Sequence, residues 1–425
     1  MTKIQIPYGS IKIDLDIEAE QLDIEEGSRN ENNTKDSTVV RQALRNPIGT
    51  KQLREIVKMK EQGGIVIVVD DQTRAAPTEK MLDGLTEEIG EEHRDRITLL
   101  VACGTHEAPA EADLQRILGK YFEFYNIKIH DCDARDLVHV GTTKRGTPVL
   151  LNRDYVDACV KILTGDITLH YYAGFGGGRK SILPGISSRE AIKRNHALLV
   201  DEHAVTANIK TNPVHLDMSE AASFAPPDFV LNTIADSYGN LVDAYAGELS
   251  SVFLKGAGVA EDMFCLETDG LFDVLIVSTG GFPKDRNLYQ ATKAIQNCYT
   301  ALVPGGKLIL VAECRDGIGD RYFEEWMDKY RSFESAEAAI KTDFVLGGHK
   351  AYYMRKTMER VRLSIVSELD TNTLTRWGLS PYTSVAEAIE GEIGYSKLDD
   401  AGAGIKNKLK IGILRNGLDT LLVPG

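Results

Sequence analysis

No apolar run in this sequence approaches the length needed to span a membrane. The first residues, MTKIQIPYGSIKIDLDIE, alternate apolar with polar and lack the apolar stretch and cleavage site of a signal peptide. Cysteine is sparse. The six residues (103, 132, 159, 265, 298 and 314) are scattered with no CxxC pair, which excludes a thiolate metal cluster and a disulfide framework. An excess of positive charge is also missing. Lys and Arg number 49 against 63 Asp and Glu, and the net charge of −14 opposes binding to nucleic acid or to an anionic membrane. Neither an internal repeat nor a low-complexity segment is present. These absences point to a cytoplasmic protein with reduced thiols that handles a small molecule.

At 425 residues, 43% hydrophobic and 26% charged, the chain suits two ordinary globular domains. Short apolar runs at 65–69, 97–101, 127–130, 160–164, 274–278, 308–312 and 409–414 read as buried strands. Helical patterns lie between many of them, at 77–89, 188–200, 287–302 and 380–390. That alternation predicts an α/β architecture: mainly parallel sheets flanked by helices. The segment LETDGLFDVLIVSTGG restarts the rhythm near Asp269, after a helix-like stretch at 252–264. The domains are therefore expected at 1–268 and 269–403, with a second boundary at 395–407 that would let residues 404–425 return to complete the first domain. The active site is expected in the cleft between them, at loops leaving the strand ends.

The most informative stretch is HYYAGFGGGRKSILPG, residues 170–185, which follows the strand-like KILTG and precedes a helix near Ser188. Gly176, Gly177 and Gly178 permit positive φ and close backbone approach to a ligand, and their N–H groups suit a phosphate. Arg179 and Lys180 add positive charge. Alone, this is a flexible turn with a basic pair, or a phosphate loop. It is not GxxxxGK[ST] in register, nor GxGxxG. A phosphoryl-transfer enzyme using GGGRKS stays open at this point. His196, in SSREAIKRNHALL, reads by itself as a capping or half-buried histidine.

Five motifs in order, DDQTRAAP (70–77), CGTHEAP (103–109), HYYAGFGGGRKSILPG (170–185), NHALL (195–199) and GGFPKDRNLYQATKA (280–294), resemble those of the lactate racemase family, whose enzymes carry a nickel-pincer nucleotide. The resemblance covers nearly the whole chain. It implies a racemase or epimerase of a small 2-hydroxycarboxylate, with nickel pyridinium-3,5-bisthiocarboxylate mononucleotide as cofactor and cofactor-biosynthesis proteins as partners. Carried over residue by residue, Lys180 is the covalent attachment point, His196 the nickel ligand, and His106 and His170 the acid/base pair. Asp71, Gln72, Thr73 and Arg74 form the cofactor-binding loop with the glycines 176–178. Arg74, Tyr289, Gln290 and Lys293 contact substrate. One departure is Ala75, which follows Arg74 where the family commonly has proline. A non-catalytic binder of a nickel nucleotide is the remaining alternative.

This chemistry needs such residues. Inverting C2 of a hydroxy acid breaks its C–H bond, and removal as a proton would pile charge beside the carboxylate. Removal as hydride gives a planar 2-oxo acid open from either face, but needs an electron sink that no side chain supplies. A ring with sulfur donors plus one imidazole suits nickel, so no cysteine cluster is required. Two histidines, one for each hand, take the hydroxyl proton. Arg74 offers a planar fork to the carboxylate. Gln290 and Lys293, three residues apart, share a helix face, which implies that the second domain closes over the first.

Overall fold

The structure is a computed structural model that describes residues 3–16, 21–23, 36–74, 76–237, 239–393 and 409–425. The chain forms two compact units, Arg29–Asp262 on one hand and Met1–Ser28 with Met263–Gly425 on the other.

In the unit Arg29–Asp262 the run IVIVVD forms the strand Ile65–Asp70, buried along all but its last residue. A strand covered on both faces needs no polar alternation. It pairs in parallel with Ile97–Ala102 on one side and Val160–Asp166 on the other. The six strands run Leu241–Gly247, Phe229–Ala235, Val160–Asp166, Ile65–Asp70, Ile97–Ala102, Asn126–Ile129. All neighbours are parallel except the edge strand Leu241–Gly247, which joins its neighbour antiparallel. The helices Asp36–Arg45, Leu53–Met59, Thr78–Ile89 and Glu111–Leu118 cover one face. There Val40, Leu44, Val57, Met81, Leu85 and Leu114 pack with Ile65, Ile67, Val69 and Leu99.

The other unit has its own six-stranded sheet in the order Ser380–Tyr382, Arg362–Val366, Leu302–Val311, Phe272–Ser278, Ile411–Leu414, Gln21–Asp23, parallel throughout. The N-terminal alternation becomes an antiparallel hairpin, Lys3–Tyr8 with Ile11–Asp16. Its inward residues Ile4, Ile6 and Leu15 share a core with Val274, Ile276 and Ile413.

Three expectations are corrected here. Residues 409–425 do not complete the first unit, and the chain start does not belong to it. Ile411–Leu414 pairs with Phe272–Ser278 and with Gln21–Asp23, and Leu421–Pro424 pairs with Cys265–Thr268. The apolar face of the hairpin is buried against that same sheet, which a sequence boundary at 268 could not reveal. The expected helix at 380–390 opens instead as the strand Ser380–Tyr382, and the helix begins at Val385. Pro381 is tolerated because this strand lies at the sheet edge. The expected boundary at 395–407 lies outside the described residues. No helix among the described residues is long and apolar enough to cross a membrane.

One buried carboxylate ties several loops of the first unit together. Asp217, fully buried on the helix Pro213–Ser223, accepts hydrogen bonds from Thr143 Oγ1 (2.5 Å), Thr147 Oγ1 (2.8 Å) and Asn195 Nδ2 (3.0 Å). Asp217→Ala orphans three buried donors and is expected to cost about 3 kcal/mol. Urea unfolding measures it, and a loss under about 1 kcal/mol would contradict this account.

Candidate active site

Three loops leave the carboxyl ends of three adjacent parallel strands, the position where α/β sheets bind ligands. DDQTR follows Ile65–Asp70, CGTHEAP follows Ile97–Ala102, and HYYAGFGGGRKS follows Val160–Asp166.

The first two loops build one hydrogen-bonded set. His106 Nδ1 lies 2.6 Å from Asp71 Oδ2. Asp71 is 2% exposed, and its other oxygen accepts from Thr73 N (3.0 Å) and Thr73 Oγ1 (2.6 Å). Burial works against the charged carboxylate, but the bond and charge of His106, the Thr73 hydroxyl and Arg74 outweigh it and hold its pKa below the ordinary value. An ionised Asp71 fixes the proton on Nδ1 and leaves Nε2 of His106 as the acceptor. Gln72 Nε2 donates to Glu107 O (3.0 Å), joining the two loops again.

The third loop turns on its glycines. Gly177 and Gly178 have φ of +69° and +55°, and a Cβ on Gly177 would stand 2.8 Å from Ile167 Cγ1. The Gly178 N–H donates to Asn232 Oδ1 (3.0 Å). Arg179, 2% exposed, gives its guanidinium to the carbonyls of Ala173, Phe175, Gly176 and Gly177 and lies over the Phe253 ring. Arg179 is therefore spent on its own loop, and a phosphate loop would have lost one of the two cations counted for it. Lys180 Nζ lies 3.1 Å from His170 Nε2. His170 Nδ1 accepts the Ala173 N–H (3.3 Å), and the ring stacks on Tyr171 and meets Tyr172 edge-on. Burial, then Lys180, Arg74, His196 and Arg179, push His170 well below its ordinary value. Burial, Arg74 and Arg179 do the same to Lys180, against a weaker pull from Asp70.

His196 is 4% exposed near the end of the helix Arg189–Ala197, which Ser188 caps. Its Nδ1 lies 3.2 Å from Asn195 Oδ1, and its ring meets Tyr172 at 5.3 Å. Tyr172 thus touches both histidines, and Lys180 Nζ sits 5.9 Å from the same ring. Arg74 is exposed, yet its charge acts on Asp70, Asp71, Asp166, His170 and Lys180, so it belongs to the same neighbourhood.

In the other unit Tyr289, Gln290 and Lys293 lie half-buried on the helix Leu288–Cys298, not on a solvated face. Asn287 caps that helix by accepting the Gln290 N–H (2.9 Å). Lys350, 2% exposed, lies over the Tyr289 ring and donates to Thr292 Oγ1 (3.0 Å).

Sequence reasoning did not single out Tyr172, nor the structural burden on Arg179, nor Asp71 as the partner of His106. It also passed over Asp70 and Asp166. Burial raises Asp70 to about 6, Asp71 adding to the rise while Arg74 and Lys180 oppose it. Burial raises Asp166 to about 7, with Asp70 pushing the same way. The available signal was an apolar run closing on an acid, in IVIVVD and in KILTGD. Among the described residues, three side chains able to hold a metal converge at Asp131, Cys132 and Asp133, but Arg189 forks onto Asp133 there.

The lactate racemase N-terminal domain profile matches residues 8–207, and the lactate racemase C-terminal domain profile matches residues 269–403. The lactate racemase of Thermoanaerobacterium thermosaccharolyticum is 34% identical over 335 residues, 77% of this chain and 78% of that protein. The lactate racemase of Lactiplantibacillus plantarum is 30% identical over 354 residues, 80% and 82% of the two. The solved lactate racemase apoprotein of T. thermosaccharolyticum superposes with a TM-score of 0.88 at 27% identity, covering 99% of this chain and 100% of that one. A Thermotoga maritima protein with a TM-score of 0.65 at 16% identity, covering 92% and 98%, shares the fold. By sequence and by fold, this chain belongs to the lactate racemase family and is an enzyme of racemase type.

Proposed function

We propose that the protein inverts C2 of a small 2-hydroxycarboxylate, lactate or a related 2-hydroxy acid, with a nickel-pincer nucleotide held on Lys180. The observation that carries this reading is the 3.1 Å contact between Lys180 Nζ and His170 Nε2. Whatever is joined to that lysine is held beside an imidazole able to exchange a proton with substrate. The residues suit such a nucleotide. A Cβ on Gly176 would stand 2.9 Å from Thr168 Oγ1, so the glycine lets the loop that carries Lys180 pack directly against Thr168. His196 is a buried imidazole, a donor type that suits nickel, and among the described residues no thiolate cluster competes with sulfur brought by the cofactor. When bound, the nucleotide's pyridinium supplies the hydride acceptor that side chains lack. Cofactor-biosynthesis proteins are the implied partners.

The chain's own residues do the rest. His106, oriented by Asp71, presents Nε2 to the hydroxyl of one enantiomer, and His170 serves the other. Arg74 takes the carboxylate in a bidentate grip and restrains its charge near the carboxyls of Asp70 and Asp166. Tyr289, Gln290 and Lys293 are assigned to substrate by the family resemblance. Asp71 acts through His106 and is a positioning residue.

Lys180→Ala should leave the protein folded and lose the cofactor's mass increment, whereas His196→Ala should keep the organic adduct and lose nickel. Intact-protein mass and metal analysis of loaded enzyme test both. An adduct persisting on the Lys180 variant, or full nickel in the His196 variant, refutes the assignment concerned.

Asp71→Asn keeps the shape but lets His106 take the wrong tautomer. Turnover from the enantiomer that His106 serves should fall on the order of 10²-fold, with the substrate KM little changed. Single-turnover rates with each pure enantiomer measure this; equal loss for both hands would remove the pairing of one histidine with one hand.

Substrate deuterated at C2 should keep its deuterium in both enantiomers at equilibrium in ordinary water. Protons on His106 and His170 exchange with solvent, so retention excludes them as carriers of the C2 hydrogen. Rapid washout would mean a carbanion route. A panel of 2-hydroxy acids run in the same way identifies the substrate.

A further inference from the structure

The glycine pair Gly347 and Gly348 opens the helix Gly348–Arg360 and belongs to none of the motifs described above. Gly347 has a φ of +91°, and a Cβ there would run into Asp320. A Cβ on Gly348 would run into the Trp326 ring. The two glycines therefore let the first turn of this helix press against the helix Arg321–Lys329, which Asp320 caps. That close approach brings Lys350 into the interior of its unit.

Lys350 is 2% exposed and donates from Nζ to Thr292 Oγ1 at 3.0 Å. The Thr292 hydroxyl gives its own proton to the carbonyl of Tyr289 (2.9 Å), so its oxygen is left to accept. Lys350 Nζ also stands 5.2 Å from the centre of the Tyr289 ring, and that ring meets Phe323 at 6.1 Å.

We propose that Lys350 is a positioning residue for substrate binding: it ties down the backbone of Tyr289 through Thr292 and covers the ring from above, so that Tyr289 meets substrate in one pose. This rests on the reading of Tyr289 as a substrate contact.

A lysine is an expensive residue at such a place. Its burial costs desolvation that methionine, of similar length, would avoid. Stability alone therefore favours an apolar residue at position 350, and the amine is explained by what it holds. Burial, then Lys293, push Lys350 well below its ordinary value, against a weaker pull from Asp320. Amine and ammonium alike keep an N–H for Thr292, so the tie holds in either form.

The test uses nickel-loaded enzyme with lactate as substrate, and rates are normalised to bound nickel. Lys350→Met should raise KM about fivefold, the worth of one hydrogen bond, while kcat changes less than about twofold. Thr292→Val keeps nearly the same shape and should raise KM by a similar factor. The double variant should be no worse than either single variant, because both break the same tie. Tyr289→Leu, which removes the held ring itself, should raise KM at least as much.

An unchanged or lower KM in Lys350→Met, with or without a loss of stability in urea, overturns the inference. So does a double variant whose loss is the product of the two single losses, since Lys350 would then act by another route. If Tyr289→Leu raises KM while Lys350→Met and Thr292→Val do not, the inference falls and the reading of Tyr289 stands. If Tyr289→Leu leaves KM unchanged, that reading falls and the inference falls with it.

Discussion

Parallel pairing of three strands governs the rest of the site. Ile65–Asp70 lies between Val160–Asp166 and Ile97–Ala102, all running the same way, so their carboxyl ends finish side by side. Residues more than a hundred positions apart in the chain are delivered to one place by backbone hydrogen bonds alone. The buried faces of these strands carry almost only Ile, Leu and Val, which gives the register no polar alternative. Polar character begins where the strands stop, at Asp70 and Asp166, and chemistry begins in the loops after them.

Charge is arranged at that edge so that burial and pairing act oppositely on different groups. Asp71 is buried yet stays ionised, because His106, Thr73 and Arg74 together outweigh the loss of water. Lys180 and His170 are pushed toward their neutral forms by burial first, and then by neighbouring cations, Arg74 and Arg179 among them. Separating such values within one site is how one fold supplies groups of different protonation at a single pH. The two histidines are held by different means: a carboxylate orients His106, a backbone N–H and two tyrosine rings orient His170. The carboxylate sets His106 up as an acceptor at Nε2, whereas the Nε2 of His170 faces Lys180 Nζ.

Much of the α/β layout was legible because fully buried strands and amphipathic helices have distinct periods. IVIVVD and ITLLVA could hardly be anything else, and the helix Thr78–Ile89 follows its apolar spacing. The strand Phe229–Ala235 escaped notice because FVLNTIA interrupts its apolar run with Asn232 and Thr233, which the structure spends on holding Gly178 and Asp166. The strand Ser380–Tyr382 was mistaken for the start of a helix, because local pattern cannot see the edge strand's neighbour, Arg362–Val366. The placement of the first residues depended on a core formed with Val274 and Ile276, some 260 positions away.

The sequence by itself determined the family and the inventory of reactive groups: the order of DDQTR, CGTHEAP, HYYAGFGGGRKS, NHALL and NLYQATK is a one-dimensional fact, and a motif match needs nothing more. Only the tertiary structure decided what each group does to the next. That Asp71 meets Nδ1 of His106, that Arg179 serves its own loop, and that His170 takes the Ala173 N–H on one nitrogen and faces Lys180 with the other all depend on bond directions set by folding. Hydrogen bonding is directional and falls away within an ångström, so it is written in no residue spacing and appears only when the chain is folded.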